Sequence, residues 1–254
     1  MAVSSSETLQ RRAMRAQSSL RTTAAYLEAI YRLQETSGLA RTSRLARQMG
    51  VTPATVTGML QKLSREGMVI HEPWRGVKLT DQGRRVALNA LRKHRLAERL
   101  LTDMLQMDWS KVHEEACRLQ RGIPDETLKP LEKALRHPRT CSHGNPIPTR
   151  CGGIIEEESE PLTNLGAEES AVIVRLRNEG LKVLQHLAGL GFKPGANIKI
   201  RGTAPDRQSM VVVVDGTEQR LPWEVASTIG VQRSRGQIYA SIPGFETAPE
   251  ATRG

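Results

Sequence analysis

The chain has 254 residues, which is enough for one large or two small domains and for a hydrophobic core that needs no disulfides. Its formal net charge of +10 favours an anionic partner, and only 3% of its residues are aromatic, which fits duplex DNA better than stacked single strands. Three cysteines, no secretory signal pattern and no apolar run near the ~20 residues of a membrane span predict a soluble cytoplasmic protein without a membrane partner.

The first part of the chain predicts a basic arm followed by two helices. Residues 1–21 are rich in serine and arginine and lack an apolar face, so we expect a disordered basic arm. An apolar stripe with helical period covers residues 22–38 and predicts the first helix. A second helix is predicted to start with Thr42 or Ser43 as its cap and to end at Gly50.

The segment VTPATVTGMLQKLSREG predicts a third helix that reads DNA. Thr52 can cap this helix, and Pro53 suits its first position. Helix, short turn and helix together form the helix-turn-helix pattern. The exposed face offers hydroxyls, a methyl group, an amide and a cation, which can contact phosphates, thymine methyls and an adenine edge. The predicted DNA-binding residues of this helix are Thr52, Pro53, Ala54, Thr55, Thr57, Gln61 and Lys62.

The next segment, MVIHEPWRGVKLTDQG, predicts two strands and the start of another helix. A turn from Pro73 to Gly76 joins the strands, which makes the domain a winged helix. Arg75 at the tip of this wing is placed to meet phosphate or the minor groove. A winged helix used for protein contacts is the alternative, and the positive charge of the chain favours DNA.

Two pairs of potential metal ligands follow in RKHRLAERLLTDMLQMDWSKVHEEACRLQR. His94 and Glu98 are four residues apart, as are His113 and Cys117, so each pair lies on one face of a helix. Ser110 is the predicted N-cap of the second helix. If the two helices pack antiparallel, imidazole and carboxylate groups meet and suit manganese, iron, cobalt, nickel or zinc, while a thiolate favours softer metals. Ordinary polar positions on amphipathic helices are the alternative.

Six segments in order resemble the diphtheria toxin repressor family of iron- and manganese-dependent transcriptional regulators. They are YLEAIYRLQE, TSRLARQMGVTPATVTGMLQKLSREGMV, HEPWRGVKLTDQG, KHRLAERLLTDML, VHEEACR and HGNPIP, between about residues 22 and 148. The resemblance implies a mainly α protein with a small all-β domain: an N-terminal winged helix-turn-helix, a helical dimerisation and metal-binding domain, and a C-terminal SH3-like barrel. It also implies a homodimer that binds a palindromic double-stranded DNA operator once a divalent metal, Mn²⁺ or Fe²⁺ with Zn²⁺ as a further option, acts as corepressor.

The resemblance also assigns one complete metal site. The family's ancillary site matches His94, Glu98 and His113, and Glu179 in RNEGLK is the expected further carboxylate. Lys182, three residues later, stands where the family often has an amide.

The family's primary metal site matches this sequence less well. Cys117 corresponds to the sulfur ligand, whereas Ala25, Gln120 and Arg121 stand where the family has ligands. Glu28 matches a ligand of the manganese-responsive branch, so a site of Glu28, His94, Cys117 and the Gln120 carbonyl stays open. A metal-independent regulator that has lost its primary site is the alternative.

Residues 91–150 are predicted to form the helical dimerisation and metal-binding domain after a winged-helix domain at 22–90. Near the end of this domain, Cys141, His143 and Cys151 have an irregular spacing that gives only a weak zinc pattern. The HGNPIP stretch is expected to be a surface segment without a ligand role.

An acidic linker is predicted at residues 151–165, followed by an SH3-like domain at 166–233 and a disordered tail at 234–254. The β-branched runs AVIVRL, ANIKIRG and MVVVVDG predict strands, and GLKVLQHLAGLGFKPG predicts a short helix between them. This part resembles the SH3-like barrel of ferrous iron transport protein A.

The sequence favours a regulator over an enzyme. It contains no HExxH pattern, no Gly-rich phosphate loop and no nucleophile with an adjacent base, so we expect neither catalysis nor a small-molecule substrate. The predicted function is a metal-dependent DNA-binding repressor of metal-uptake genes. An accessory role in ferrous iron transport is the alternative suggested by the barrel alone.

Overall fold

The computed structural model describes residues 22–35, 38–72, 76–204 and 208–234. The described residues form two compact units, and the segment Glu179–His186 belongs to the first unit together with the chain up to Glu157. The predicted basic arm, the wing tip with Arg75 and the tail beyond residue 234 lie outside the described residues. No helix in these ranges is long and apolar enough to cross a membrane.

The first unit begins with the predicted winged helix. Its elements are α1 at residues 22–35, α2 at Thr42–Met49, α3 at Pro53–Arg65, β1 at Val69–Glu72 and β2 at Gly76–Leu79. The two strands pair antiparallel, with Val69 opposite Leu79. Leucine, isoleucine and valine side chains from the three helices and both strands form one buried core, which fixes the direction of α3.

The start of α3 is confirmed, whereas the start of α2 differs from the expectation. The Thr52 hydroxyl accepts a hydrogen bond from the Thr55 backbone N–H at 3.2 Å, and Pro53 is the first helical residue. In α2 the N-cap is Arg41, which makes no side-chain cap hydrogen bond, so neither Thr42 nor Ser43 serves as the cap. Gly50 ends α2 in the left-handed conformation, as predicted.

A long helix connects the wing to the site. Helix α4 covers Asp81–Arg99 and continues as a π-helix over Leu100–Met104. Thr80 caps α4 by accepting a hydrogen bond from the Gly83 N–H at 3.1 Å. A Cβ on Gly83 would lie 2.0 Å from the Met68 carbonyl oxygen, so only glycine permits this approach of α4 to the start of the wing.

Three further helical segments complete the helical part: α5 at Val112–Leu119, a 3₁₀ turn at Gln120–Gly122 and α6 at Asp125–Ala134. Helix α5 packs against α4, as the ligand pairs require. The prediction that Ser110 is the N-cap of α5 was wrong, because Lys111 is the cap. The Ser110 N–H and hydroxyl instead both donate to Asp108 Oδ1 at 2.9 Å. The Asp108 carboxylate, two residues upstream, therefore holds Ser110 in a turn.

The second unit is built on one antiparallel sheet with the strand order β3-β8-β4-β5-β6-β7. Its elements are β3 at Glu160–Pro161, β4 at Ser170–Leu176, β5 at Asn197–Thr203, β6 at Ser209–Val214, β7 at Thr217–Pro222, α8 at Trp223–Ala226 and β8 at Ile229–Arg233. Helix α7 at Leu181–Gly189 lies between β4 and β5 in the sequence, and its residues up to His186 belong to the first unit. Six antiparallel strands fit the expected SH3-like domain. Strand β3 pairs with β8, and Leu162 and Leu165, which follow β3 in the chain, are buried.

Candidate metal centre and DNA-binding face

Two helices bring the predicted ligand pairs together. His94 and Glu98 on α4 are fully buried, and His94 Nε2 lies 3.0 Å from Glu98 Oε1. From α5, His113 Nδ1 lies 3.2 Å from both His94 Nε2 and Glu98 Oε1. The structure therefore places the two histidines and the carboxylate around one point, as the four-residue spacings predicted.

Two residues far along the chain join this cluster. Glu179 Oε2 lies 3.3 Å from His113 Nδ1, and Asn145 donates to Glu179 Oε1 at 2.6 Å. His143 is also fully buried; its Nε2 donates to the Trp109 carbonyl at 2.9 Å, which leaves Nδ1 facing Glu98 Oε1 at 3.2 Å. The HGNPIP stretch is therefore not a surface segment, and that expectation was wrong because Glu98 and the Trp109 carbonyl offer His143 buried partners.

Each of the His94 and His113 rings has one nitrogen on the side of the carboxylates and the other nitrogen on the side of the Cys117 thiol. His94 Nε2 and His113 Nδ1 point to the carboxylates, while Cys117 Sγ lies 3.8 Å from His94 Nδ1 and 3.8 Å from His113 Nε2. The thiol and the carboxylates thus lie on opposite sides of the imidazoles. A metal bound on the carboxylate face and one bound on the thiol face would use different ring nitrogens.

Three sets of side chains among the described residues have ligand atoms within 4.8 Å of one another. The first set has four members and lies on the carboxylate face, the second has three members and lies on the thiol face, and the third shares both carboxylates with the first. They are His94, Glu98, His113 and Glu179; His94, His113 and Cys117; and Glu98, Cys141, His143 and Glu179. Cys151 is exposed and belongs to none of these sets, so the Cys141, His143 and Cys151 pattern does not come together.

Charge pairing inside the cluster shifts the pKa of each histidine upward. Burial alone would lower the pKa of His94, but the Glu98 carboxylate outweighs burial and raises it to about 10. Burial opposes protonation of His113 and His143 too, and hydrogen bonds to Glu98 and to a cysteine raise their pKa values to about 9 and about 11. The same histidines hold the pKa of Glu98 well below its usual range despite its burial.

The pKa values of the two cysteines near the cluster are shifted in opposite directions. Burial would raise the pKa of Cys117, but hydrogen bonds with His113 and His94 lower it to about 6. Burial raises the pKa of Cys141 to about 11. Cys117 is therefore the thiolate of the pair at neutral pH, and Cys141 is the thiol.

The donor set on the carboxylate face fits a divalent metal. Two imidazole nitrogens and two carboxylates are the ligands that manganese, iron and zinc accept. Glu98 Oε2 is buried and has no hydrogen-bond partner in the structure. A buried carboxylate oxygen without a donor is costly unless a cation approaches it, so this atom supports a metal at the cluster.

The residues expected at a second metal site lie elsewhere. Glu28 forms an ion pair with Arg32 at 3.0 Å and belongs to none of the three ligand sets. Arg121 is exposed in the 3₁₀ turn, and Gln120 Oε1 in the same turn is buried without a hydrogen-bond partner. Ala25 on α1 is half-buried and offers no ligand atom.

The predicted recognition helix presents most of its polar groups to solvent. Thr52, Pro53, Ala54, Thr55 and Gln61 are exposed, and Thr57 and Lys62 are half-buried. Some of these groups already have partners. The Thr57 hydroxyl donates to the Pro53 carbonyl at 2.9 Å, and Lys62 Nζ lies 3.8 Å from Glu66 Oε1.

Sequence reasoning missed a row of arginines on the preceding helix. Arg41, Arg44 and Arg47 are spaced three apart in RTSRLAR, and all three are exposed. In helix-turn-helix proteins the helix before the recognition helix crosses the DNA backbone, where arginines pair with phosphates. The regular spacing was the available signal.

Comparison with known proteins agrees with this arrangement. Residues 20–77 match the family model of the iron dependent repressor N-terminal DNA binding domain, and residues 80–149 match that of the iron dependent repressor metal binding and dimerisation domain. Residues 160–233 match the FeoA domain. The three matches follow the described winged helix, the helical part and the antiparallel sheet in order.

Several characterised proteins are similar over most of this chain. The iron-dependent repressor IdeR of Mycobacterium bovis is 32% identical over 228 residues, covering 84% of this chain and 97% of the relative. The diphtheria toxin repressor of Corynebacterium glutamicum is 32% identical over 226 residues, covering 85% and 97%. Among solved structures, a manganese-dependent transcriptional repressor in complex with manganese has a TM-score of 0.77 at 27% identity, covering 84% of this chain and all of that chain. ScaR with bound Zn²⁺ has a TM-score of 0.72 at 28% identity, covering 84% and 99%. Because the matches to relatives that are 32% identical cover 97% of their length, the chain belongs to the iron-dependent repressor family, a family of iron- and manganese-dependent transcriptional repressors.

Proposed function

We propose that this repressor is switched by one divalent metal ion held by His94, Glu98, His113 and Glu179. The observation that carries the proposal is the convergence of these four side chains, three of them at most 7% exposed, with their ligand atoms within 4.8 Å. The buried Glu98 Oε2 without a hydrogen-bond partner supports it. A bound metal would supply the positive charge that holds α4, α5 and the segment around Glu179 together.

The donor set favours Mn²⁺ or Fe²⁺ and admits Zn²⁺. Two nitrogens and two carboxylate oxygens suit these three ions, whereas a thiolate ligand would favour the softer ones. Cys117 lies on the opposite face of the imidazoles, so it stays outside this ligand set. The third ligand set, which includes His143 and Cys141, shares both carboxylates with the first, and the protonated thiol of Cys141 makes it the less favourable one.

The DNA-binding face in this proposal combines α3 with α2. Arg41, Arg44 and Arg47 would pair with phosphates, and the exposed residues of α3 would meet base edges in the major groove of double-stranded DNA. Arg75 at the wing tip would add a phosphate or minor-groove contact, although it lies outside the described residues.

We further propose a homodimer on a palindromic operator, with apolar residues beside the cluster as part of the contact. Met104 and Leu105 at the end of the π-helix are 56% and 61% exposed, and Leu119 at the end of α5 is 36% exposed. Since α5 packs against the π-helix, these side chains lie on adjoining elements. Exposed apolar groups of this size are costly in water and favour burial against a second copy.

We propose that the chain is divided into domains that match these functions. Residues 22–90 would bind DNA, 91–150 would bind metal and dimerise, residues 151–165 would form an acidic linker and 166–233 an SH3-like domain. Glu179, which the structure groups with the first unit, would complete the metal site. A repressor of metal-uptake genes is the biological role that suits a corepressor metal.

The test is fluorescence anisotropy of the full chain on upstream DNA fragments, in chelator and with Mn²⁺, anaerobic Fe²⁺ or Zn²⁺. We expect a rise in DNA affinity of about tenfold or more with one of these ions, a coupling of about 1.4 kcal/mol. His94→Ala should abolish this rise, while His186→Ala, which changes an exposed histidine on α7, should leave it intact.

Equal DNA affinity in chelator and in every metal would contradict the switch and favour the metal-independent regulator. Absence of DNA binding under all conditions would favour the accessory role in ferrous iron transport.

A further inference from the structure

Arg32 on α1 lies between two buried carboxylates, one of which belongs to the proposed metal centre. Its Nη1 donates to Glu179 Oε2, the oxygen that faces His113. Its Nε donates to Glu28 Oε1 at 3.1 Å, and Nη2 lies 3.0 Å from the same oxygen. The side chains of Glu28 and Glu179 are 8% and 5% exposed, so solvent screens these charges weakly.

We propose that Arg32 is a resident cation that sets the affinity of the cluster for its divalent ion. This inference rests on the function proposed above. A guanidinium cannot lose its proton in a protein, so its charge is permanent. It occupies one oxygen of Glu179 and repels any other cation that uses the same carboxylate. Arg32 therefore raises the metal concentration at which the centre fills.

A second hydrogen bond, which does not involve Arg32, also holds Glu179. Asn145 donates to the other carboxylate oxygen, Oε1, at 2.6 Å and is itself 3% exposed. Since this hydrogen bond holds the carboxylate toward the cluster, removal of the guanidinium changes the charge at the site more than its geometry. The metal affinity should consequently rise when Arg32 is neutralised.

Glu28 provides a negative charge that compensates the positive charge of Arg32. Its carboxylate compensates the Arg32 charge from the preceding turn of α1, so the two side chains together contribute no net charge beside the cluster. Neutralising Glu28 leaves the Arg32 cation uncompensated and should weaken metal binding. Neutralising both residues returns the local net charge to its original value and should return the affinity with it.

The experiment measures Mn²⁺ and Co²⁺ affinity of the full chain by competition with a fluorescent chelator. Arg32→Gln should bind both ions at least about tenfold more tightly, and Glu28→Gln should bind them more weakly by a similar factor. The double variant Glu28→Gln with Arg32→Gln should return to within about threefold of the parent chain. Arg220→Gln, which removes an exposed arginine on β7, controls for the change in total charge.

Thermal unfolding in chelator and with saturating Mn²⁺ gives a second readout. Arg32→Gln should melt lower than the parent in chelator, because Glu28 and Glu179 lose their common cation, and should gain more stability from the ion. If Arg32→Gln does not fold in chelator, Glu28→Gln and the double variant carry the same test. Arg32→Lys, which keeps the charge, should stay close to the parent affinity.

Weaker or unchanged metal binding by Arg32→Gln would overturn the proposal, as would a double variant that does not return toward the parent value. These results differ from failure of the proposed function, in which the parent chain itself binds neither Mn²⁺ nor Co²⁺.

Discussion

Glu98→Gln is the substitution that should damage the centre most. Glu98 Oε1 lies 3.0 Å from His94 Nε2 and 3.2 Å from both His113 Nδ1 and His143 Nδ1, and the side chain is fully buried. The amide is nearly isosteric but carries no charge, so three imidazoles with raised pKa values, of which His94 and His143 are fully buried, lose their shared counter-charge. Removing one partner of a buried ion pair costs about 3–5 kcal/mol.

The assay is urea unfolding in chelator at pH 6.5, where these imidazoles are protonated. We expect Glu98→Gln to lose about 3–5 kcal/mol of unfolding free energy there and less at pH 9.5, because the stabilisation from a raised histidine pKa declines as the pH rises from the unfolded value of ~6.5 toward the folded value. In the same protein, Mn²⁺ binding should weaken strongly, because the cluster loses one of its two carboxylates.

Glu115→Gln is the matched control for this substitution. Glu115 lies on α5 in an exposed pair with Arg118, with side chains 44% and 70% exposed. Solvent-exposed pairs contribute about 0–1 kcal/mol, so its loss should be small at both pH values. Equal losses for Glu98→Gln and Glu115→Gln, or a loss independent of pH, would refute the reasoning that Glu98 neutralises the histidines.

The pKa values of His94 and His113, raised to about 10 and about 9, stabilise the ion-free fold fully below pH ~6.5, and this stabilisation is lost as the pH rises through 9 to 10. The urea concentration at the unfolding midpoint in chelator should therefore decrease as the pH is raised from 7 to 9.5. A constant midpoint would contradict the pairing of these histidines with Glu98. Lys62→Ala should weaken DNA binding almost equally on all sequences and reduce the salt slope by about one, and an unchanged slope would remove Lys62 from the phosphate contacts. Leu105→Glu should shift the full chain from dimer to monomer in analytical ultracentrifugation while its metal affinity stays near that of the parent, and an unchanged dimer would remove Leu105 from the interface. Gly83→Ala should cost more than about 1 kcal/mol in urea unfolding, since the Met68 carbonyl lies 2.0 Å from the new Cβ; a neutral substitution would mean that α4 can move away from the wing.

Local patterns in the sequence were sufficient for the winged helix and for the two ligand pairs. The Thr52 and Pro53 start of α3 and the four-residue spacing of His94 and Glu98 depend on contacts within one or two helical turns, so short stretches of sequence determine them. Family resemblance added Glu179, which no local pattern marks. The prediction that Ser110 caps α5 also depended on local contacts, and it was wrong because the Ser110 N–H and hydroxyl donate to Asp108 instead.

Only the tertiary structure decided how distant residues complete the centre. His143 is 45 positions from Glu98 in the sequence, and Arg32 is separated from Glu179 by 147 residues, so no periodicity connects them. The packing of α5 on α4 also decided that Cys117 lies on the face of the imidazoles opposite the carboxylates. Charges buried together must find partners wherever the chain supplies them, and that requirement acts on the folded molecule rather than on neighbouring residues.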